Sequence, residues 1–287
     1  MIKVIATDLD GTLFYPKRKR NMIPSKNIEF LKQFKETGGK IVLVSGRSHF
    51  YAAKVIERLG FVVDSICCNG AVVHYDEVLK EEHFLPLNFG DILKELEEKF
   101  DFNGQALMSK NIQLAIRGRS DNTCKTKLNN AIFSIFYSLQ GVYKEKYVSD
   151  PKVFDEELKK GEIYKFLLYF GTNKKAQKAA EAAANYINKT YDAIEAAYSG
   201  GSVEITDRNI SKAAGLNRYC EAFGISKDEV IVCGDSGNDV AMFETFNEHS
   251  FVMSHAPKGV KKFARYELDR VSDLKDYIEK LESEKKE

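Results

Sequence analysis

The chain opens with the apolar run Ile2-Lys3-Val4-Ile5-Ala6, and only Thr7 separates that run from Asp8-Leu9-Asp10-Gly11-Thr12. A β-branched run of this length marks a strand buried on both faces, as in a parallel sheet, and Gly11 marks where it must turn. Two carboxylates then stand at the carboxyl end of a strand, where open α/β sheets bind ligands. Strand side chains alternate, so Asp8 and Asp10 point to one side if the strand persists that far, and like charges at that spacing repel. They require a cation or a shared proton. A calcium-binding EF-hand loop also begins with alternating acids, but it needs glycine sixth and glutamate twelfth. Here Gly11 comes fourth and Lys19 twelfth, which excludes that loop.

The same pattern recurs. Ile41-Val42-Leu43-Val44 runs into Ser45-Gly46-Arg47-Ser48, and a strand around Ile66-Cys67-Cys68 stops at Asn69-Gly70. Later, Val230-Ile231-Val232-Cys233 meets Gly234-Asp235-Ser236-Gly237-Asn238-Asp239, and Phe251-Val252-Met253 meets Ser254-His255-Ala256-Pro257. Between the early strands, Ile28, Leu31 and Phe34 recur at helical spacing after Pro24-Ser25, and a second helix spans Tyr51 to Leu59 before Gly60. Ser211 reads as the N-cap of a further helix with Leu216, Tyr219, Cys220 and Phe223 on one face, and a polar helix from about Asp273 to Lys280 closes the chain. Strand and helix alternating at these intervals predict an α/β fold, a doubly wound parallel sheet of Rossmann-like type.

Val72 to Tyr75 and the residues near Val78-Leu79 read as a small hairpin, and from about residue 86 the character changes. Asp91 to Phe100 is an amphipathic helix, Ile112 to Ile116 alternates as a half-buried strand, and Leu128 to Leu139 is another helix. Tyr164 to Phe170 adds a strand, Lys174 to Lys189 an Ala-rich helix, and Ala193 to Ile205 a hairpin turned by Ser199-Gly200-Gly201-Ser202. Alternation implies a sheet with one open face, hence an α+β unit at 86–206 inserted into a core made of 1–85 and 207–287. A length of 287 residues at 44% hydrophobic composition accommodates two such domains.

With 43 Lys and Arg against 42 Asp and Glu, the net charge of +1 gives no field that favours nucleic acid or an anionic membrane, so a small partner is expected. The basic run Lys17-Arg18-Lys19-Arg20 reads as a solvated loop. Five cysteines, Cys67, Cys68, Cys124, Cys220 and Cys233, are odd in number and form no C-x-x-C pair, as reduced thiols of a cytoplasmic protein would be. Met1 passes directly into the first strand without room for a signal peptide, and no apolar stretch approaches a membrane span, so secretion is not expected.

Chemistry collects at the strand ends. Asp8 and Asp10, Ser45 with the Gly46 amide, and Asp235 with Asp239 all stand at that kind of position. Four carboxylates converging on one crevice are destabilising unless a hard divalent cation neutralises them, and all-oxygen ligation favours Mg²⁺ over zinc. A hydroxyl, backbone amides near Gly46 and Lys212 at a helix start are the donors suited to a phosphate. Taken singly, Ser45 is a turn former, Lys212 an exposed helix residue and Asp235 a cap; their recurrence in order is what carries the functional reading.

D-L-D-G-T at Asp8 to Thr12, V-S-G-R at Val44 to Arg47, S-K at Ser211-Lys212 and G-D-S-G-N-D at Gly234 to Asp239 together resemble the haloacid dehalogenase superfamily of phosphatases. Asn69-Gly70-Ala71 and the long insert resemble its Cof-like sugar-phosphate phosphatase branch. The resemblance implies that Asp8 is the nucleophile, forming an aspartyl-phosphate, and that Asp10 protonates the leaving oxygen and then deprotonates water. It implies further that Ser45 and Lys212 neutralise the phosphate, and that Asp8, the backbone carbonyl of Asp10 and Asp235 bind Mg²⁺ with Asp239 in support. Gly46, Arg47, Asn69, Gly70 and Asn238 would lie on the substrate side, and the insert would be a mobile cap. Two places depart from the family pattern: Lys212 precedes Ala213-Ala214-Gly215 where a glycine directly after the lysine is common, and Met253-Ser254-His255-Ala256 replaces a Gly-Asn-Ala turn.

The leading expectation is a phosphomonoester hydrolase acting on a small phosphorylated metabolite, foremost a sugar phosphate. A phosphosugar mutase would use the same Asp8 intermediate, and a non-catalytic phosphosugar-binding protein would keep the fold without turnover. Polar residues on cap strands whose opposite face is apolar, namely Arg117, Arg119, Lys165, Ser202 and Glu204, are the candidates for contact with the leaving group.

Overall fold

The computed structural model describes residues 1–16, 23–118 and 146–284. The run Lys17 to Arg20, Arg119, Cys124 and the helix expected over Leu128 to Leu139 lie outside the described residues. By backbone contacts the chain forms two compact units, Met1–Glu81 with Ser211–Glu287, and Glu82–Ile210. No helix among the described residues is long and apolar enough to cross a membrane.

In chain order the elements are β1 (Val4–Thr7), α1 (Ser25–Glu36), β2 (Lys40–Val44), α2 (His49–Leu59), β3 (Asp64–Cys67), β4 (Val72–Tyr75) and β5 (Val78–Glu82). Then follow α3 (Phe89–Lys99), β6 (Gly104–Ser109), β7 (Ala115–Gly118), α4 (Pro151–Lys160), β8 (Ile163–Tyr169), α5 (Lys174–Thr190), β9 (Ile194–Ser199) and β10 (Ser202–Asp207). The chain ends with α6 (Lys212–Phe223), β11 (Val230–Gly234), α7 (Val240–Thr245), β12 (Ser250–Met253), α8 (Lys258–Lys261), β13 (Tyr266–Leu268) and α9 (Leu274–Glu284).

The first sheet has the order β13-β12-β11-β1-β2-β3-β4-β5. Pairings from β13 through β3 are parallel and the β3–β4 pair turns antiparallel, so the doubly wound α/β architecture expected from sequence is the one adopted. Val4, Ile5 and Ala6 in β1 and Val230, Ile231 and Val232 in β11 are fully buried, which is why these strands carry no alternation. Because the strands run parallel, β1, β2 and β11 release their following loops at one edge of the sheet, with β1 between the other two. The sequence contains β13 and α7 as well, too short to declare themselves by periodicity.

The second unit is a five-stranded sheet, β7-β6-β8-β10-β9, backed by a core of Phe89, Leu96, Phe154, Phe166, Leu168, Ala180 and Ile187 among others. The strand expected over Ile112 to Ile116 is displaced: the ladder begins at Ala115 and runs to Gly118. Residues 109–112 form a turn instead, because the Ser109 hydroxyl accepts the Ile112 amide at 3.1 Å and the Ser109 amide reaches the Ile112 carbonyl at 3.1 Å. Strand β6 and helix α4 escaped the sequence reading, the first because all six of its residues are buried and no alternation is left to see.

Register also separates the proposed cap contacts. Arg117 lies opposite Gln105, and Gln105 opposite Leu168, so Arg117 belongs to the helix-covered face of this sheet. Its guanidinium donates to Asp155 at 2.5 Å, to Gln105 at 2.8 Å and to Glu97 at 3.1 Å, and it lies 4.5 Å from the Phe154 ring centroid. The expectation that Arg117 faces a ligand is corrected on that ground: it ties strand to helix. Lys165, by contrast, shares the other face with Glu204, and the two form an ion pair at 3.0 Å. Arg117→Ala should lower the stability of this unit by about 2 kcal/mol in chemical denaturation, the usual size for hydrogen bonds to charged groups.

Candidate active site

Strand β1 ends at Thr7, one residue before the first acid. From Leu9 to Leu13 the backbone makes a wide helical turn interrupted at Asp10 (φ −75°, ψ 115°) and Gly11 (φ 85°, ψ −14°), closed by the Leu13 amide on the Asp8 carbonyl at 3.1 Å. Gly11 is required twice over: its φ lies in the left-handed region, and a Cβ there would overlap the Asp235 carboxylate. The alternation that would have aimed Asp8 and Asp10 the same way therefore stops short of them. Asp8 is buried, whereas the Asp10 side chain is 45% exposed and is held by Arg47, whose Nε donates to Oδ2 at 2.8 Å and Nη2 to Oδ1 at 3.3 Å.

The carboxylates that converge are three rather than four: Asp8, Asp235 and Asp239 each offer an oxygen, and these lie within 4.8 Å of one another. Lys212, the first residue of α6, inserts its ammonium among them, donating to Asp8 Oδ1 and to Asp239 Oδ1, both at 2.7 Å. Ser211 caps α6 through the Ala214 amide at 3.1 Å, which orients the start of that helix. The close approach that a glycine after the lysine would have provided is made at Gly215, where a Cβ would stand 2.8 Å from Ile66 and 3.1 Å from the Gly70 Cα. Asp239 has both oxygens engaged, since Oδ2 accepts the Asp235 and Ser236 amides at 3.0 Å each.

Burial pushes the Asp8 carboxyl up to about 8, with the Asp239 charge adding to the effect and Lys212 opposing it. Asp235 is raised for the same reasons, burial first and Asp239 next, against His255 and Lys212. For Lys212, burial alone would lower the ammonium, but the charges of Asp239 and Asp8 outweigh it and hold it above its ordinary value. Asp235 Oδ1 is buried and finds no hydrogen-bond partner. An orphaned carboxylate oxygen beside two more carboxylates, with no nitrogen or sulfur in the set, is a donor group fitted to a hard divalent cation such as Mg²⁺.

Ser45, at the end of β2, is buried, and its hydroxyl accepts the Arg47 amide at 3.1 Å, so the loop Ser45-Gly46-Arg47 curls around it. That loop is fastened to the next one: the Cys68 amide donates to the Arg47 carbonyl at 2.8 Å and the Asn69 amide to the Ser45 carbonyl at 3.1 Å. Cys68, Asn69 and Gly70 all have positive φ, a sharp turn that presents Asn69 to Asn238 at 3.4 Å. Gly70 is held from behind, its carbonyl accepting Arg218 Nη2 at 3.0 Å. The structure thus gathers Asp8, Asp10, Ser45, Gly46, Arg47, Asn69, Gly70, Lys212, Asp235, Asn238 and Asp239 at one sheet edge. Sequence reasoning missed the pairing of Arg47 with Asp10 and missed Tyr15, and it noted His255 only as a departure from the family pattern; the Tyr15 and His255 rings stack 4.0 Å apart, with His255 Nε2 3.6 Å from Asp235 Oδ2. The available signal for His255 was its place after a core strand, the same kind of position as Asp8, Ser45 and Asp235.

A profile described as haloacid dehalogenase-like hydrolase matches residues 5–275. The chain is 26% identical over 270 residues to phosphatase YwpJ of Bacillus subtilis, covering 92% of this chain and 93% of that protein. It is 24% identical over 271 residues to pyridoxal phosphate phosphatase YbhA of Escherichia coli, covering 90% of each. The solved structure of the subclass IIB sugar phosphatase BT4131 matches with a TM-score of 0.70 at 21% identity, covering 96% of this chain and 98% of that one. Removing the amine from the buried array leaves two carboxylates uncompensated, so Lys212→Met should cost roughly 3–5 kcal/mol of unfolding free energy, measured by denaturant titration of the core.

Proposed function

Because the chain belongs to the haloacid dehalogenase-like hydrolase family, we propose that it hydrolyses a small phosphorylated metabolite, foremost a sugar phosphate, in a Mg²⁺-dependent reaction through an aspartyl-phosphate on Asp8. Family and named relatives make the chain an enzyme of the phosphatase class. The observation that supports the finer reading is the buried Lys212 ammonium shared between Asp8 and Asp239, with the orphaned oxygen of Asp235 alongside.

The Asp8 carboxylate attacks phosphorus as the bond to the leaving oxygen breaks, and Asp10 donates its proton to that oxygen. Asp10 then takes a proton from water, and the hydroxide formed attacks the phosphoryl group, freeing phosphate and regenerating Asp8. A carboxylate attacks a phosphate well only where the charge on the phosphoryl oxygens is neutralised, a task for Lys212, the Ser45 hydroxyl and the amides around Gly46. Arg47 pairs with the Asp10 carboxylate through both oxygens, so Asp10 must leave that pair before it can carry a proton to the leaving oxygen. Asp8, Asp235 and the backbone carbonyl of Asp10 would hold Mg²⁺, with Asp239 behind them bracing Lys212 and the loop. When bound, the ion supplies further charge neutralisation at the phosphoryl oxygens.

The Glu82–Ile210 unit is proposed as the cap that selects the leaving group. Lys165, Ser202 and Glu204 lie on the sheet face opposite its helices, and a hydroxyl-rich leaving group suits them. That relatives include a protein named for pyridoxal phosphate and one named a sugar phosphatase supports a small phosphorylated substrate. The buried free thiols Cys67, Cys68, Cys220 and Cys233 accord with a reducing, cytoplasmic setting.

Asp8→Asn keeps the shape and removes the attacking charge, so phosphate release should fall by at least about 10³-fold with the melting transition retained. Chelation of divalent cations should abolish turnover in the wild type and added Mg²⁺ should restore it; activity in excess chelator would overturn the metal assignment. For specificity, Lys165→Met and Glu204→Gln should change the order of kcat/KM values among sugar phosphates while hydrolysis of a small aryl phosphate stays within about 3-fold, since the phosphoryl-binding core is common to all substrates. Equal slowing of every substrate would remove the cap residues from the selection.

A further inference from the structure

His255 lies on the turn after β12, closed by the Ala256 amide on the Met253 carbonyl at 2.9 Å and by the Ser254 amide on the Leu268 carbonyl at 2.9 Å. Its imidazole stacks on Tyr15, with ring centroids 4.0 Å apart and planes 24° from parallel. Tyr15 is itself fastened by its amide to the Thr12 carbonyl at 3.1 Å, in the turn that carries Asp10. The ring is therefore gripped from two loops, and Nε2 comes to 3.6 Å from Asp235 Oδ2. At that length the contact is electrostatic rather than a hydrogen bond.

The two oxygens of Asp235 are unlike. Oδ2 lies against His255 and against the Gly11 backbone, where no Cβ intrudes, while Oδ1 is buried with no partner. A carboxylate can rotate about its Cβ–Cγ bond, and among the described residues no hydrogen bond to either Asp235 oxygen chooses between them. On the reading of Asp235 as a cation ligand given above, we propose that His255, locked in place by Tyr15, is a positioning residue: the polar Nε2 edge of its ring attracts Oδ2 electrostatically and so leaves Oδ1 to the position a cation would take. Partners that orient a metal-binding side chain typically contribute 10- to 100-fold in metal affinity.

The two functions of the ring can be separated by substitution. His255→Phe keeps the stack on Tyr15 and removes the donor, whereas His255→Gln restores an N–H at similar reach. The full-length protein, stripped with chelator, is titrated calorimetrically with Mn²⁺, and each variant is first checked for an unchanged thermal transition. The expected result is a Mn²⁺ affinity lowered about 10-fold or more in His255→Phe and returned to within about 3-fold of wild type in His255→Gln. In turnover assays the half-saturating Mg²⁺ concentration should rise by a similar factor in His255→Phe, while kcat at saturating Mg²⁺ recovers. Wild-type affinity in His255→Phe overturns the proposal, as does a His255→Gln variant no better than His255→Phe. A kcat that stays low at saturating Mg²⁺ also overturns it, since His255 would then act on the reacting groups. A wild-type protein that binds no Mn²⁺ overturns the cation reading of the site and this inference together; wild-type binding with an indifferent His255→Phe overturns the inference alone.

Discussion

One buried ammonium organises the unit Met1–Glu81 with Ser211–Glu287. Lys212 is 2% exposed and stands between two carboxylates that are themselves buried, Asp8 at 5% and Asp239 at 0%. Each of these charges would be costly alone in a medium of low dielectric, and the array persists because its members satisfy one another. Asp239 extends the arrangement by accepting the two amides that begin the loop after β11. The loop, the helix start and the end of β1 are thereby held by a single electrostatic knot, and the position of Asp8 is fixed before any substrate arrives.

The parallel sheet makes that knot possible. With β1 flanked by β2 and β11, three loops leave from one edge, and they bring the pair Asp8 and Asp10, the Ser45 hydroxyl, and the pair Asp235 and Asp239. Small residues permit the crowding. Gly11 lets the first loop lie against Asp235, and Gly215 lets α6 lie against the Asn69-Gly70 turn. The crowding leaves one oxygen of Asp235 without a protein partner, a cost that a bound cation would offset.

In the second unit the same alternation of strand residues sorts polar side chains by task. Arg117 and Lys165 are both basic residues on β-strands, and the sequence places them in one class. Pairing register sends Arg117 to the helices, where carboxylates and the Phe154 ring hold it, and sends Lys165 to the other face beside Glu204. A shift of one residue between neighbouring strands would exchange these roles.

The sequence by itself determined the α/β alternation, the strand ends at Asp8, Ser45 and Asp235, and the phosphatase resemblance, because apolar runs, turn glycines and short motifs are local signals. What it could not determine was which acids meet. Asp8 and Lys212 lie 204 residues apart in the chain, and Asp10, two residues from Asp8, ends up against Arg47 instead. The strand stops at Thr7, so the period of two that joined Asp8 to Asp10 on paper no longer applies where it mattered. The stack of Tyr15 on His255 is likewise a contact between remote turns. Local pattern sets what each segment is; the company each side chain keeps depends on sheet order, register and the close approach of loops, which exist only once the whole chain has folded.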